Sequence, residues 1–212
     1  MSDKLSSPEV ILASASPRRT ELLHQIGVAH RVVPAQVDER RADGESAEGC
    51  VRRLATSKAL EVQTALMAVT GADASVGYAV LGADTAVVID ELLLGKPRDR
   101  DDALAMLARL SGRTHHVLTA VALAGMGGVQ CQLSRSEVRF RRLSERECAA
   151  YWDSGEPRDK AGAYAIQGLG AQFVEELRGS YSGVMGLPLF ETASLLSAAG
   201  VPVGRRSSRS RG

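Results

Sequence analysis

Apolar residues in this chain recur alternately in short runs and in helical stripes, a pattern that predicts an α/β protein. Residues 10–13 form a brief apolar run. Ser14, Ala15 and Ser16 hand it over to PRRTELLHQIG, where Leu22, Leu23 and Ile26 stand at helical spacing, Ser16 can cap, Pro17 suits the first turn and Gly27 the left-handed end. Residues 30–33 read as a strand. From Ser46 a helix of more than five turns is predicted, because Val51, Leu54, Ala55, Val62, Ala65, Leu66 and Val69 share one stripe. A small-residue loop at 70–76 leads into LGADTAVVIDELLLGKP, read as strand, turn and strand, with Asp84 at the mouth of a buried strand. Asp99 caps the next predicted helix, with Asp101 and Asp102 in its first turn and Leu104, Leu107 and Leu110 on its buried side. HHVLTAVALAG is a buried strand, and after a turn at 125–128 VQCQL and EVRFRRL are expected to pair as an antiparallel ribbon. The spacing of Ser144 and Glu147 opens a helix through Tyr151 and Trp152 with a capping box. A polar, then small, then strand-like stretch follows, with a turn at 179–183, a helix over 189–199 and a basic tail over 205–212, expected to be disordered.

Against this pattern a few charged side chains stand out. The Asp84 carboxylate is costly where it lies unless a cation or metal meets it. Lys96, twelve residues on, can return near it across the hairpin. The two together read either as part of a site for phosphates and a divalent metal or as a surface ion pair. Lys58 falls in the middle of the apolar stripe, where it must snorkel out or reach a buried anion; the room left on the polar side favours the anion. Arg18 and Arg19 have the wrong sign for a helix N-terminus, which suits a docked polyanion as well as two solvated arginines. Asp38 and Glu39, in a polar loop, do not stand out on chemistry alone. Gln167 carries an amide that can donate and accept as a base edge requires, and Gly162, after Asp159 and Lys160, would let a ligand approach the backbone. His115 and His116 begin a strand, one facing in and one out, and read as structural. The chain has no Walker loop, complete GxGxxG or nucleophile elbow; Gly168-Leu169-Gly170 is only a fragment of a dinucleotide fingerprint.

At 212 residues there is room for one large domain or two small lobes sharing a sheet. A net charge of +1 excludes an overall positive field for nucleic acid. Cys50, Cys131 and Cys148 lie far apart with no CxxC spacing, which fits a reducing compartment and gives no zinc site. No apolar run approaches membrane-spanning length, so a soluble, cytoplasmic protein is expected.

ILASASPRRTELL, the Asp38-Glu39 pair, LATSKA, GADTAVV, LGKP, LSGRTHHVLTAVAL, DKAGAYAIQG and GSYSGVMGLPL, in this order over residues 10–199, resemble the Maf family of nucleoside triphosphate pyrophosphatases. The resemblance implies an elongated α/β fold with a mixed sheet, flanking helices and two lobes around a central cleft, similar to the inosine triphosphate pyrophosphatases. It implies one catalytic domain over residues 8–200 and a separate tail over 201–212. It also implies hydrolysis of a nucleoside triphosphate between the α and β phosphates with a divalent cation, Mg²⁺ or Mn²⁺. By position Asp84 corresponds to the proton acceptor, and Ser14, Arg19, Glu39, Lys58 and Lys96 match the other polar positions of the cleft. Glu39 and Asp84 are expected to hold the metal. Arg18, Thr85 and Gln167 fall where the branch acting on dTTP and UTP sets its specificity, which favours pyrimidines over purines or 7-methylguanosine triphosphate. The old family name, septum formation inhibitor, leaves a non-catalytic nucleotide-binding regulator as the rival reading, and the family implies homodimers. Two features depart from the family pattern, a longer loop near residues 70–76 and Met185 in place of valine; both bear on substrate range more than on chemistry.

Overall fold

The computed structural model describes residues 7–70, with Thr70 by its backbone only, 77–125 and 127–204. The expected loop beyond Thr70 and the basic tail at 205–212 lie outside the described residues. In chain order the elements are β1 (Glu9–Leu12), α1 (Pro17–Gln25), β2 (His30–Val32), α2 (Ala47–Thr70), β3 (Tyr78–Ile89), β4 (Leu92–Leu94) and α3 (Arg100–Leu110). Then follow β5 (Thr114–Gly125), β6 (Gly128–Phe140), α4 (Glu145–Asp153), three 3₁₀ turns (Glu156–Asp159, Ala161–Ala163, Leu169–Phe173), β7 (Val174–Arg178), α5 (Tyr181–Met185) and α6 (Leu189–Ala198). The strands form a seven-stranded sheet in the order β2-β1-β3-β5-β6-β7, with β4 attached to β3. β1 runs parallel to β2 and β3, and every other pairing is antiparallel. The α/β expectation therefore holds, with a mixed sheet and flanking helices.

Several local readings change. Gly82-Ala83-Asp84-Thr85 does not end a strand: β3 runs through it, so Asp84 lies mid-strand rather than at a mouth. Gly82 is needed there because α2 rests on it, and an added Cβ would stand 2.2 Å from the Ala55 carbonyl oxygen. The hairpin turns instead at Asp90 and Glu91, whose φ values of 50° and 62° match the twist of a two-residue loop. VQCQL and the EVRF of EVRFRRL are not a ribbon but one strand, β6, paired along β5, since no turn residue separates them. The stretch expected to turn at 179–183 leads into the short helix α5, capped by the Ser180 hydroxyl, which accepts from the Gly183 amide. Ser16 occupies the N-cap of α1 but makes no side-chain cap bond. Ala65 and Val69, expected on the buried stripe of α2, are exposed. The capping box at Ser144 and the cap at Asp99 form as predicted. His115 is buried, and His116 is exposed beside Glu137.

Alternation along β3 and β5 builds three cores. On one sheet face Val80, Ala86, Leu118, Ala120 and Ala122 pack under Val51, Ala55, Ala59 and Val62 of α2. On the other face two cores lie end to end. One gathers Leu12, Leu81, Ala83, Val121 and Leu123 with α1 and α6; the other gathers Val87, Ile89, Val117 and Phe140 with α3 and α4. Thr85 and Thr119, opposed in register, stand on β3 and β5 at the boundary of these two cores.

Candidate active site

One break in strand pairing makes the site. On the edge of β3 away from β5, β1 pairs with residues 78–81 and β4 with residues 87–89, and among the described residues no strand pairs with the stretch between. Successive side chains of a strand point to opposite faces, so Asp84 projects toward α2 and Thr85 toward α1 and α5. With no neighbouring strand at that edge, both faces open into one cleft of about 640 Å³, within the usual range for small-molecule sites. Its lining includes Ser14, Arg18, Arg19, Glu39, Lys58, Asp84, Thr85, Lys96 and Gln167, but neither Asp38 nor Gly162.

On the α2 side, Lys58 reaches in from the apolar stripe and its Nζ donates to Asp84 Oδ1 at 2.7 Å and to Glu39 Oε1 at 2.6 Å. The lysine is 8% exposed, so it has taken the buried anion rather than snorkelled. Burial pushes the Asp84 carboxyl above its usual range, and the charges of Lys58 and Arg19 offset this without cancelling it. Burial also opposes the charge on Glu39, but its bond to Lys58 and the charges of Lys58, Lys96 and Arg19 outweigh that and leave it below the usual range. Two neighbouring carboxyls are thus driven apart, the deeper one made the better base.

On the α1 side, Arg19 is fixed at three points: Nε donates to the Gly186 carbonyl at 2.8 Å, Nη1 to Ser14 Oγ at 2.9 Å and Nη2 to Thr85 Oγ1 at 3.4 Å. The Thr85 hydroxyl in turn lies 3.0 Å from that of Thr119, which donates to the Gly183 carbonyl at 2.7 Å. Ser14, not Ser16, serves the start of α1, accepting from the Ser16 amide at 3.3 Å. Arg18 sits 3.7 Å from Asp159, which also pairs with Lys160. Lys96 and Gln167 are exposed on the cleft wall. Thr119 was missed by sequence reasoning; its signal is that it is the one hydroxyl in the apolar run VLTAVALAG.

The family model described as Maf-like protein matches residues 9–199. The chain belongs to the Maf family. A Maf relative from Methylobacillus flagellatus named dTTP/UTP pyrophosphatase is 50% identical over 199 residues, covering 94% of this chain and 96% of that protein. Another of the same name from Saccharophagus degradans is 52% identical over 198 residues, covering 93% and 92%. A Bordetella parapertussis protein, likewise named, is 52% identical over 200 residues, 92% of this chain and 95% of its own length. A crystal structure titled nucleoside-triphosphatase / dITP/XTP pyrophosphatase, from Mycobacterium abscessus, overlays at a TM-score of 0.42 and 16% identity, covering 88% of this Maf chain and 93% of that one, a likeness too loose to bear on function. Among the described residues no helix is long and apolar enough to cross a membrane.

Proposed function

We propose that this Maf protein hydrolyses dTTP and UTP between the α and β phosphates, releasing the monophosphate and pyrophosphate. The observation that carries the reading is the meeting of two differently tuned carboxylates with Lys58, Arg19 and Lys96 at the open edge of β3. A triphosphate is a compact polyanion, and its phosphate oxygens would be held by Arg19, Lys58 and Lys96, each charge-assisted bond contributing roughly 1.5–3 kcal/mol. Asp84, its basicity raised by burial, takes the proton of the attacking water. Thr85, Arg18 and Gln167 face the base and sugar, with the Gln167 amide free to donate and accept.

Divalent metal fits these residues. Among the described residues no cluster of three or more Asp, Glu, His or Cys side chains is placed to hold an ion unaided. Glu39 and Asp84 converge on a single lysine nitrogen and supply two carboxylates, a donor set suited to Mg²⁺ or Mn²⁺ when substrate phosphates complete the shell. Bound there, the cation would neutralise phosphate charge as the leaving pyrophosphate departs.

The test is a panel of dTTP, UTP, CTP, GTP and dITP, with pyrophosphate release measured for the wild type and Asp84→Asn. dTTP and UTP should lead, and Asp84→Asn should stay folded, since Glu39 still pairs with Lys58, while losing about 10²–10⁴-fold in kcat. Activity needs the Asp84 carboxylate, so kcat/KM should fall on the acid side as pH drops through a pKa above the ordinary carboxylate range. A panel led by purines would sink the pyrimidine reading, and wild-type turnover in Asp84→Asn would sink the mechanism.

A further inference from the structure

The loop that carries Gln167 is held from below by two side chains of another segment. The Tyr151 hydroxyl donates to Glu156 Oε1 at 2.7 Å and accepts from the Ala165 amide at 3.0 Å. The Glu156 carboxylate also accepts from the amides of Leu169 at 2.8 Å and Gly170 at 3.0 Å. Gln167 therefore stands between two fixed shoulders, while its own side chain is exposed in the cleft. Gly168 lets the loop lie directly on the carboxylate, since an added Cβ there would fall 2.1 Å from Glu156 Oε2. Burial opposes charge on Glu156, but the bonds from Tyr151, Leu169 and Gly170 and the charge of Lys160 outweigh it and keep its carboxyl below the usual range. Three of its roughly four acceptor positions are thus taken by the loop and by Tyr151. An amide can read a base edge only where its backbone is fixed, because a loose one pays an ordering cost for every base it meets.

We propose that Tyr151 and Glu156 are positioning residues for base recognition, clamping the loop on both sides of Gln167 and so setting the discrimination between pyrimidine and purine triphosphates. This inference rests on Gln167 contacting the base, as proposed above.

The experiment compares kcat and KM for UTP and GTP in the wild type, Tyr151→Phe, Glu156→Gln, Gln167→Ala and the Glu156→Gln/Gln167→Ala double variant, with melting temperatures alongside. Each clamp variant should narrow the UTP-to-GTP ratio of kcat/KM by about tenfold, through KM for UTP more than kcat. The double variant should lose no more than Gln167→Ala alone, because the clamp acts through that side chain. If Gln167→Ala shifts the ratio and neither clamp variant does, the clamp is rejected and the base contact stands. If Gln167→Ala leaves the ratio unchanged, the base contact falls and the clamp with it. Equal losses on both nucleotides in kcat would mean a purely structural role and would also overturn the proposal. Should Glu156→Gln fail to fold, Tyr151→Phe, which removes only a hydroxyl, decides the matter alone.

Discussion

Lys58 carries one positive charge between two carboxylates, and that mismatch sets its behaviour. With Glu39 and Asp84 at 2.6 and 2.7 Å, the trio by itself carries one net negative charge, which Arg19 and Lys96 on the cleft wall offset. A divalent cation held by those same two oxygens, as proposed above, would have to displace the lysine from them. Removing one partner of a buried ion pair leaves the other uncompensated, a loss of about 3–5 kcal/mol in typical cases. Lys58→Met should therefore lower the melting temperature and abolish most turnover. Mg²⁺ or Mn²⁺ alone, without nucleotide, should raise the melting temperature of the variant more than that of the wild type, because no amine competes for the carboxylates. Thermal shift with and without EDTA reads this directly; an identical metal response in both proteins would show that Lys58 does not stand in the cation's place. The residue was legible in the sequence, since a lysine amid an apolar stripe must either snorkel out or reach an anion. Thr119 was not, because a lone threonine in a strand is common and its value here lies in meeting Thr85, Arg19 and Gly183 from three other segments.

The packing of α2 on β3 decides where Lys58 arrives. Gly82 meets the backbone of that helix, with an added Cβ 2.2 Å from the Ala55 carbonyl and 2.7 Å from the Ala59 amide nitrogen. Backbone cannot swing aside as a flexible side chain can. Gly82→Ala must lift α2 from the sheet, costing about 3 kcal/mol or more. Lys58 rides between those two contacts, so a displacement near 1 Å should also cost about 100-fold in activity. Gly127→Ala, with nothing among the described residues within 4 Å of the added carbon, should change neither. Denaturant melts and turnover of the two variants check the contrast, and a Gly82→Ala protein of wild-type stability would refute the packing argument. This element also marks the limit of pattern reading. Helix α2, its stripe and the chemistry of Asp84 follow from local order, but Gly82 read locally looks like the end of a strand. What it serves is a helix more than twenty residues earlier, and the gap in pairing that exposes Asp84 depends on where β1 and β4 stop along β3. Likewise the Glu156 clamp depends on amides of a distant loop, and no spacing announces it.

Across the whole molecule β3 and β5 thread both cores of one sheet face, so the cleft between them shares the stability of each end. The end built on α3 and α4 holds a titratable group. His115 is fully buried, with Nε2 2.9 Å from the Tyr164 hydroxyl and its ring edge-on to Phe140 and Tyr164 at centroid distances of 5.0 and 5.4 Å. Among the described residues its Nδ1 has no hydrogen-bond partner, and burial, with a smaller push from His116, lowers its pKa from 6.5 to about 4. A histidine of lowered folded pKa binds its proton more readily in the unfolded chain, so stability is full above about pH 6.5 and is lost as pH falls toward 4. The shift corresponds to about 3 kcal/mol over that window. That is a large share of the typical 5–15 kcal/mol of a folded domain. Denaturant unfolding at pH 7.5 and pH 4.5 should show the wild type losing about 2–3 kcal/mol more than His115→Gln, which cannot titrate. Because the cleft is built on strands common to both cores, wild-type activity at pH 7.5 should vanish with the denaturant transition rather than ahead of it. Parallel losses in the two proteins would place the acid sensitivity elsewhere, outside the His115 pocket.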